Sequence, residues 1–348
     1  MSIFCPGTTF ESGGANRGMG RNRRIAVAPG DPAGIGYEIS VQALLDLRDV
    51  LSDLIVVVYA QHALWNRAET MYAPSLGTVR ILSAEQAVEP GTIYLIDPDT
   101  YYEIGAFKPG EMMAQNARCA YQGLMRIVED VKADLIDGIC TGPIHKGAMR
   151  LAQIKEIGHT EMLATAFGCE NPMTMFQTKG LRIFFYSRHL SLRDAIDALN
   201  IESLVEFGIQ MDDKMRRLGF MNPHLAMAAL NPHAGDGGQF GSEERDILIP
   251  ASSYLRAHGV DMSDPIGADS VFAQAAQGRY DAVLSLYHDQ GHIAAKTYDF
   301  ERTISMTLGL PCLRTSVDHG TAFDIAWQGL AQTISMRTAI ETMIHYLM

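Results

Sequence analysis

Three histidines stand just beyond short apolar runs, among small and polar residues: His189 in SRHLS, His233 in NPHAGDGG and His288 in YHDQGH. Neutral imidazole is the commonest protein ligand for transition metals, and a three-histidine set leaves coordination positions open for a substrate. Their spacing contains no HExxH, and each histidine taken singly also suits a hydrogen-bonded structural role. CTGPIHKG sets His145 and Lys146 after a strand and at a helix start, where backbone N–H groups and the helix dipole favour an anion such as phosphate. In GHTEM, His159 and Thr160 offer donors to phosphate oxygens, with a plain helix cap as the alternative for Thr160. Two other patterns do not match their motifs. GDPAGIG, from Gly30 to Gly36, lacks the GxGxxG spacing and the P-loop lysine, and Ser187 and Ser316 lack the GxSxG elbow of a hydrolase.

These residues need strands to carry them. From Arg24 onward, short β-branched runs alternate with helical patterns, which predicts βαβ units around a largely parallel sheet. Expected strands are Ile25 to Ala28, Leu54 to Tyr59, Ile93 to Ile96, Leu135 to Cys140, Met173 to Gln177, Ile183 to Tyr186, Leu225 to Leu230, Ala282 to Leu286 and Thr303 to Met306. Met112, Met113, Ala117, Ala120, Leu124, Ile127 and Val128 recur at helical spacing, predicting a long amphipathic helix over Pro109 to Ala133. The glycine-rich and polar segments lie at strand carboxyl ends, where open α/β sheets bind ligands, so they are expected to face one cleft.

The 348 residues, 47% hydrophobic, can bury a sizeable core. With 28 basic and 40 acidic residues the net charge is -12, which disfavours nucleic acid and anionic membranes and requires a local positive cluster for any small anionic substrate. Five cysteines without a CxxC pair fit a reducing cytoplasm better than a disulfide framework. The longest apolar run, Leu54 to Ala60, has the length of a strand and not of a membrane span. Residues 1–22 read as a flexible tail without signal-peptide features, or equally as a misassigned start.

In order, GDPAGIG, TGPIHKG, GHTE, HLSLRD, NPHAGDGGQFGSEE, GADSVF, YHDQGH and TLGLPCLRTSVDHGTAFDIA closely resemble the 4-hydroxythreonine-4-phosphate dehydrogenase (PdxA) family of vitamin B6 biosynthesis and its catabolic relatives. The resemblance runs from about Ile25 to the C-terminus. It implies an α/β fold of the isocitrate/isopropylmalate dehydrogenase type, not Rossmann, with two α/β/α subdomains flanking a cleft. Residues 23–150 with 322–348 would form the first subdomain, and 151–321 the second, carrying metal and substrate residues and the dimer interface. It further implies NAD, one divalent metal ion per site (Zn, Mg, Mn or Co), and a homodimer that shares the metal site. His189, His233 and His288 match the family's metal ligands, and His159 and Thr160 its substrate-binding pair. Lys296 and Arg314 match further substrate contacts. Asp269 matches an acidic residue beside the metal, and Asp269 and Lys296 are both candidates for the general base. HGTAFDIA is similar to the stretch with which the wider superfamily holds adenosine, which assigns His319, Gly320, Thr321 and Asp324 to the nucleotide.

Two departures refine these expectations. Ser305 stands where the biosynthetic enzyme has asparagine, which resembles the branch oxidising D-threonate or D-erythronate 4-phosphate. Trp327 and Gln328 replace a small-basic pair after DIA and could crowd the nucleotide pocket. The expected reaction is metal-assisted oxidation of a phosphorylated hydroxy acid followed by decarboxylation. The alternatives are the 4-hydroxythreonine-4-phosphate dehydrogenase of pyridoxal phosphate biosynthesis and, below it, a metal-dependent phosphohydrolase or a sugar-phosphate sensor.

Overall fold

Runs such as IVVVY and IYLI, buried along their whole length, require a sheet covered by helices on both faces. The computed structural model supplies one, and it describes residues 22–98 and 102–348, so nearly all of the expected tail lies outside the described residues. The strands are β1 (Arg24–Ala28), β2 (Ile55–Tyr59), β3 (Val79–Ile81), β4 (Ile93–Ile96), β5 (Gly138–Thr141), β6 (Met173–Thr178), β7 (Leu181–Phe185), β8 (Leu225–Met227), β9 (Ala282–Ser285), β10 (Thr303–Leu308) and β11 (Leu313–Val317). The helices are α1 (Gly36–Asp46), α2 (His62–Tyr72), α3 (Ala114–Lys132), α4 (Lys146–Leu151), α5 (His159–Phe167), α6 (Leu192–Asp197), α7 (Ile201–Arg217), α8 (Ile249–Ala257), α9 (Ala268–Ala276), α10 (His288–Tyr298) and α11 (Ile334–Leu347). The sequence reading does not include β3, a short edge strand, or β11, whose LRTSV holds an arginine. The helix expected from Pro109 begins only at Ala114, because Gly110 adopts φ +73° and donates its N–H to Ala33 O.

All eleven strands form one sheet, in the order β3-β4-β2-β1-β5-β11-β10-β6-β7-β9-β8. Pairing is parallel from β3 to β11 and again across β7, β9 and β8, but antiparallel at β11/β10, β10/β6 and β6/β7. Three reversals turn β7, β9 and β8 against β1 and β5. Loops after β1 and β5 therefore leave from one edge of the sheet, and those after β7, β8 and β9 from the other.

One apolar cluster runs under nearly the whole sheet, with α1, α2, α7, α8 and α11. On the opposite face the core is split in two. One cluster lies under α3, α4 and α5, and the other under α9 and α10. Between them the strands turn polar: in β10, Ile304, Met306 and Leu308 join the continuous core while Thr303, Ser305 and Thr307 alternate to the other face. Arg314 and Ser316 of β11 and Thr141 of β5 meet the same stripe through hydrogen bonds. This polar stripe is the floor of a cleft between two helical layers.

Candidate active site

Arg314 lies at the centre of that floor and is 4% exposed. Its Nε and Nη2 donate to Thr141 Oγ1 at 3.2 and 2.8 Å, and its Nη1 donates to Thr307 Oγ1 at 2.9 Å. Among the described residues no carboxylate pairs with it. Burial lowers its pKa to about 10, against the opposing fields of Cys140 and Glu161, so it stays charged at neutral pH. A buried guanidinium satisfied only by neutral hydroxyls is a receptor for an anion. His159 opens α5 close enough to feel that charge; burial first and Arg314 second hold its pKa well below the ordinary value, leaving a neutral imidazole with one N–H to donate. Thr160 follows in the first turn. It is not the helix cap, which is Gly158.

At the carboxyl end of β11, Asp318 pairs with Lys296 of α10 at 2.7 Å. Burial raises the Asp318 pKa, opposed by Lys296. Next to it, His319 Nδ1 lies 3.0 Å from Gly320 O, and its buried Nε2 has no partner. Burial lowers its pKa, so Nε2 is an acceptor without a donor. Open space surrounds Gly320, Thr321 is buried, and Asp324 is exposed. GDPAGIG backs directly onto this segment: Ile35 N donates to Thr321 O at 3.0 Å, and a Cβ on Gly34 would come 2.8 Å from Thr321. An orphaned acceptor beside an open glycine fits the edge of a nucleotide. The Trp327 indole points inward, donating to Pro32 O at 2.8 Å and packing against Tyr37, Tyr72 and Phe107, so it braces the GDPAGIG loop.

His145 caps α4 itself, accepting from Ala148 N at 3.2 Å, and its ring stacks on Phe323 at 4.7 Å. The α4 N-terminus is thus partly occupied by its own histidine, and Lys146 beside it is exposed. Asp269 lies exposed in the first turn of α9.

The three metal-candidate histidines follow β7, β8 and β9, which are neighbours in the sheet and run the same way, so their loops leave from one edge. His189 is exposed, with its pKa lowered by burial first and then by the charges of Arg188 and Lys146. His288 opens α10, its Nδ1 2.6 Å from Asp289 Oδ1, which leaves Nε2 free. A carboxylate behind an imidazole is the usual support for a metal-ligating histidine. Among the described residues, no three His, Cys, Asp or Glu side chains gather into a metal-holding group. His233 lies in a turn of its own and is exposed. Leu190, Leu192, Phe240 and Ile293, close in sequence to these histidines, are each at least half exposed.

Three further residues enter the site that the sequence reading did not single out. Arg188, adjacent to His189, has its pKa lowered by burial, opposed by Glu161. Asp318 holds Lys296. His292 stacks on His288 at 3.7 Å between ring centroids and against Phe176 at 4.4 Å, and burial lowers its pKa to about 4. Arg188 and His292 are visible in SRHLS and HDQGH, but their sequence settings do not distinguish them from their histidine neighbours. Ser187 and Ser316 bond to Leu286 O and to Thr141, and neither pairs with a histidine. A separate cavity of about 380 Å³, lined by Lys214, Gly309, Leu310, Tyr346 and Met348 among others, contains none of the expected site residues.

The continuous mixed sheet and the split core with a polar stripe between its halves define an α/β protein with helices on both faces of one sheet. The model of the family "Pyridoxal phosphate biosynthetic protein PdxA" matches residues 52–343. The chain belongs to the PdxA family. It is 43% identical over 331 residues to a protein of Halalkalibacterium halodurans named "Putative D-threonate 4-phosphate dehydrogenase", covering 94% of this chain and 98% of that one. A Symbiobacterium thermophilum protein of the same name is also 43% identical, covering 92% and 96%. Among solved structures, 4-hydroxythreonine-4-phosphate dehydrogenase from Klebsiella pneumoniae superposes with TM-score 0.83 at 37% identity, covering 94% of this chain and 100% of that one. A terephthalate 1,2-cis-dihydrodiol dehydrogenase from Burkholderia xenovorans LB400 follows at TM-score 0.64 and 26% identity, covering 93% and 98%.

Proposed function

We propose that the chain is an NAD-dependent, divalent-metal-dependent dehydrogenase that oxidises D-threonate or D-erythronate 4-phosphate, with decarboxylation, as a cytoplasmic homodimer. The observation that carries this reading is Arg314, a buried guanidinium without a counter-ion on the floor of the cleft. Lys296 and Arg188 bear on His292, and Arg188 and Lys146 on His189, which gathers positive charge beside the histidines in a chain of net charge -12. Arg314 and Lys296 bind carboxylate and phosphate, neutral His159 donates an N–H, and Thr160 adds a hydroxyl. NAD would lie along His319, Gly320, Thr321 and Asp324 and accept the hydride. His189, His233 and His288 would hold the cation, with the partner subunit completing the set; their nitrogen donors suit Zn, Co or Mn better than Mg. Such a cation lowers the pKa of a substrate hydroxyl and stabilises charge left by decarboxylation.

Of the two candidates for general base, Lys296 is favoured by its pairing with the half-buried Asp318, whereas Asp269 is exposed on α9. Lys296 would first pass its own proton to Asp318, whose pKa burial raises, and the neutral Nζ would then take the hydroxyl proton as hydride leaves carbon. The deciding assay gives the purified chain NAD, a panel of divalent metals and four-carbon phosphorylated acids. Reduced nicotinamide is expected with D-threonate or D-erythronate 4-phosphate. A strong preference for 4-phosphooxy-L-threonine would return the role in pyridoxal phosphate synthesis, and phosphate release without reduction would indicate a phosphohydrolase.

A further inference from the structure

The turn carrying His233 has a backbone that L-residues avoid. Six consecutive residues have positive φ: His233 (53°), Ala234 (53°), Gly235 (79°), Asp236 (43°), Gly237 (66°) and Gly238 (99°). Three of them carry a Cβ, which crowds the following carbonyl in this conformation. Such a turn persists only where its surroundings over-determine it.

The side chain that does so is Glu244, 2% exposed, at the start of a π-helical turn over Glu244–Leu248. Its Oε1 accepts from Leu230 N at 2.8 Å and Asn231 N at 2.7 Å, and its Oε2 accepts from Asn231 Nδ2 at 2.8 Å. Glu243 Oε2 accepts from the same amide at 2.7 Å. The carboxylate thus fixes the two residues leading into the turn. It also presses on the turn's middle, since a Cβ on Gly235 would come 2.9 Å from Oε2. Phe240 N closes the far side by donating to Gly235 O at 3.2 Å.

We propose that Glu244 is the positioning residue that locks the left-handed turn 233–238 and thereby sets the aim of His233 at the cation. This rests on reading His233 as a ligand. Helix and loop are then one device: the histidine ring supplies the nitrogen, and a carboxylate four residues beyond Phe240 determines where that nitrogen points.

The test titrates the cation-free full chain with Co²⁺, following affinity by calorimetry and ligand geometry by the visible spectrum, with amide hydrogen exchange over residues 230–241. Glu244→Ala is expected to weaken Co²⁺ by roughly 10–100-fold, the usual effect of removing support behind a ligand, to change the visible band, and to speed exchange in the turn. Glu244→Gln keeps one acceptor for the two backbone N–H groups but turns an NH₂ toward Asn231, so a smaller loss in the same direction is expected. It decides the matter alone if the alanine variant does not fold. Wild-type affinity and spectrum in the folded variants would overturn the proposal while leaving the metal reading intact. Failure of the unaltered chain to bind Co²⁺ would overturn both, and is recognised because it appears without any substitution.

Discussion

Arg314 commits three N–H donations to threonine hydroxyls and keeps its full charge, so its remaining N–H groups are held in a fixed direction by the planar fork. Lysine at this position would keep the charge and lose the planar fork. Arg314→Lys is therefore expected to lower kcat/KM by about 10–100-fold, the cost of one or two charge-assisted bonds, mostly through KM. Ser305 is half-buried on the same floor and offers one hydroxyl where an asparagine would offer a carbonyl and two N–H donors. Ser305→Asn is expected to narrow the preference for a hydroxylated over an aminated substrate by roughly tenfold, read from paired kcat/KM values. Asp31 has a different consequence. Burial lifts its pKa to about 7, opposed only by the bond from Ala33 N, and its Oδ2 has no partner. The folded state binds this proton more tightly than the unfolded chain, so Asp31 erodes stability as pH rises from about 4 to about 7. Asp31→Asn removes that erosion, and its Tm should gain on wild type between pH 5 and pH 8; a constant difference would refute the assignment. The histidines, Lys296 and Arg314 were legible as a set because their motifs recur in order. Asp318 was not, because its role depends on an ion pair between residues 22 positions apart in sequence.

Interlocked backbone decides the next scale. GDPAGIG and TGP lie so close that a Cβ on Gly30 would land on the Pro143 carbonyl, and one on Gly36 or Gly142 on the Pro29 carbonyl. A main-chain oxygen has no rotamer with which to yield. Gly36→Ala is expected to cost about 1–3 kcal/mol or more as overpacking, seen as a lowered urea midpoint with an unchanged slope. The same motif that fails the dinucleotide fingerprint is thus a contact between two turns, which spacing alone does not reveal. β11 was illegible for a related reason: LRTSV resembles a loop until β5 and β10 flank it. Alternation in TISMTL was readable, but only the split core gives its polar face a purpose.

At the scale of the molecule, exposed Leu190, Leu192, Phe240 and Ile293 accompany histidines that are not gathered into a three-ligand set among the described residues. A second copy covering that face would account for both. Ile293→Glu is expected to shift the sedimentation coefficient to that of a monomer and to abolish Co²⁺ binding together with activity; an active monomer would contradict the shared site. The α/β class with a cleft was legible from the sequence, whereas the three reversals of strand direction were not, because pairing partners lie far apart along the chain. That distance matters most while the protein is being made. β5 is complete at Thr141, yet its neighbour β11 starts at Leu313 and the covering helix α11 ends at Leu347. On the ribosome the first half waits roughly 170 residues, on the order of 10–30 s, with an open parallel edge and no lid. An exposed strand edge of this kind pairs with other chains. Residues from β11 onward are thus the ones that seal the first half, and a nascent chain stalled before β11 is expected to bind chaperones rather than fold.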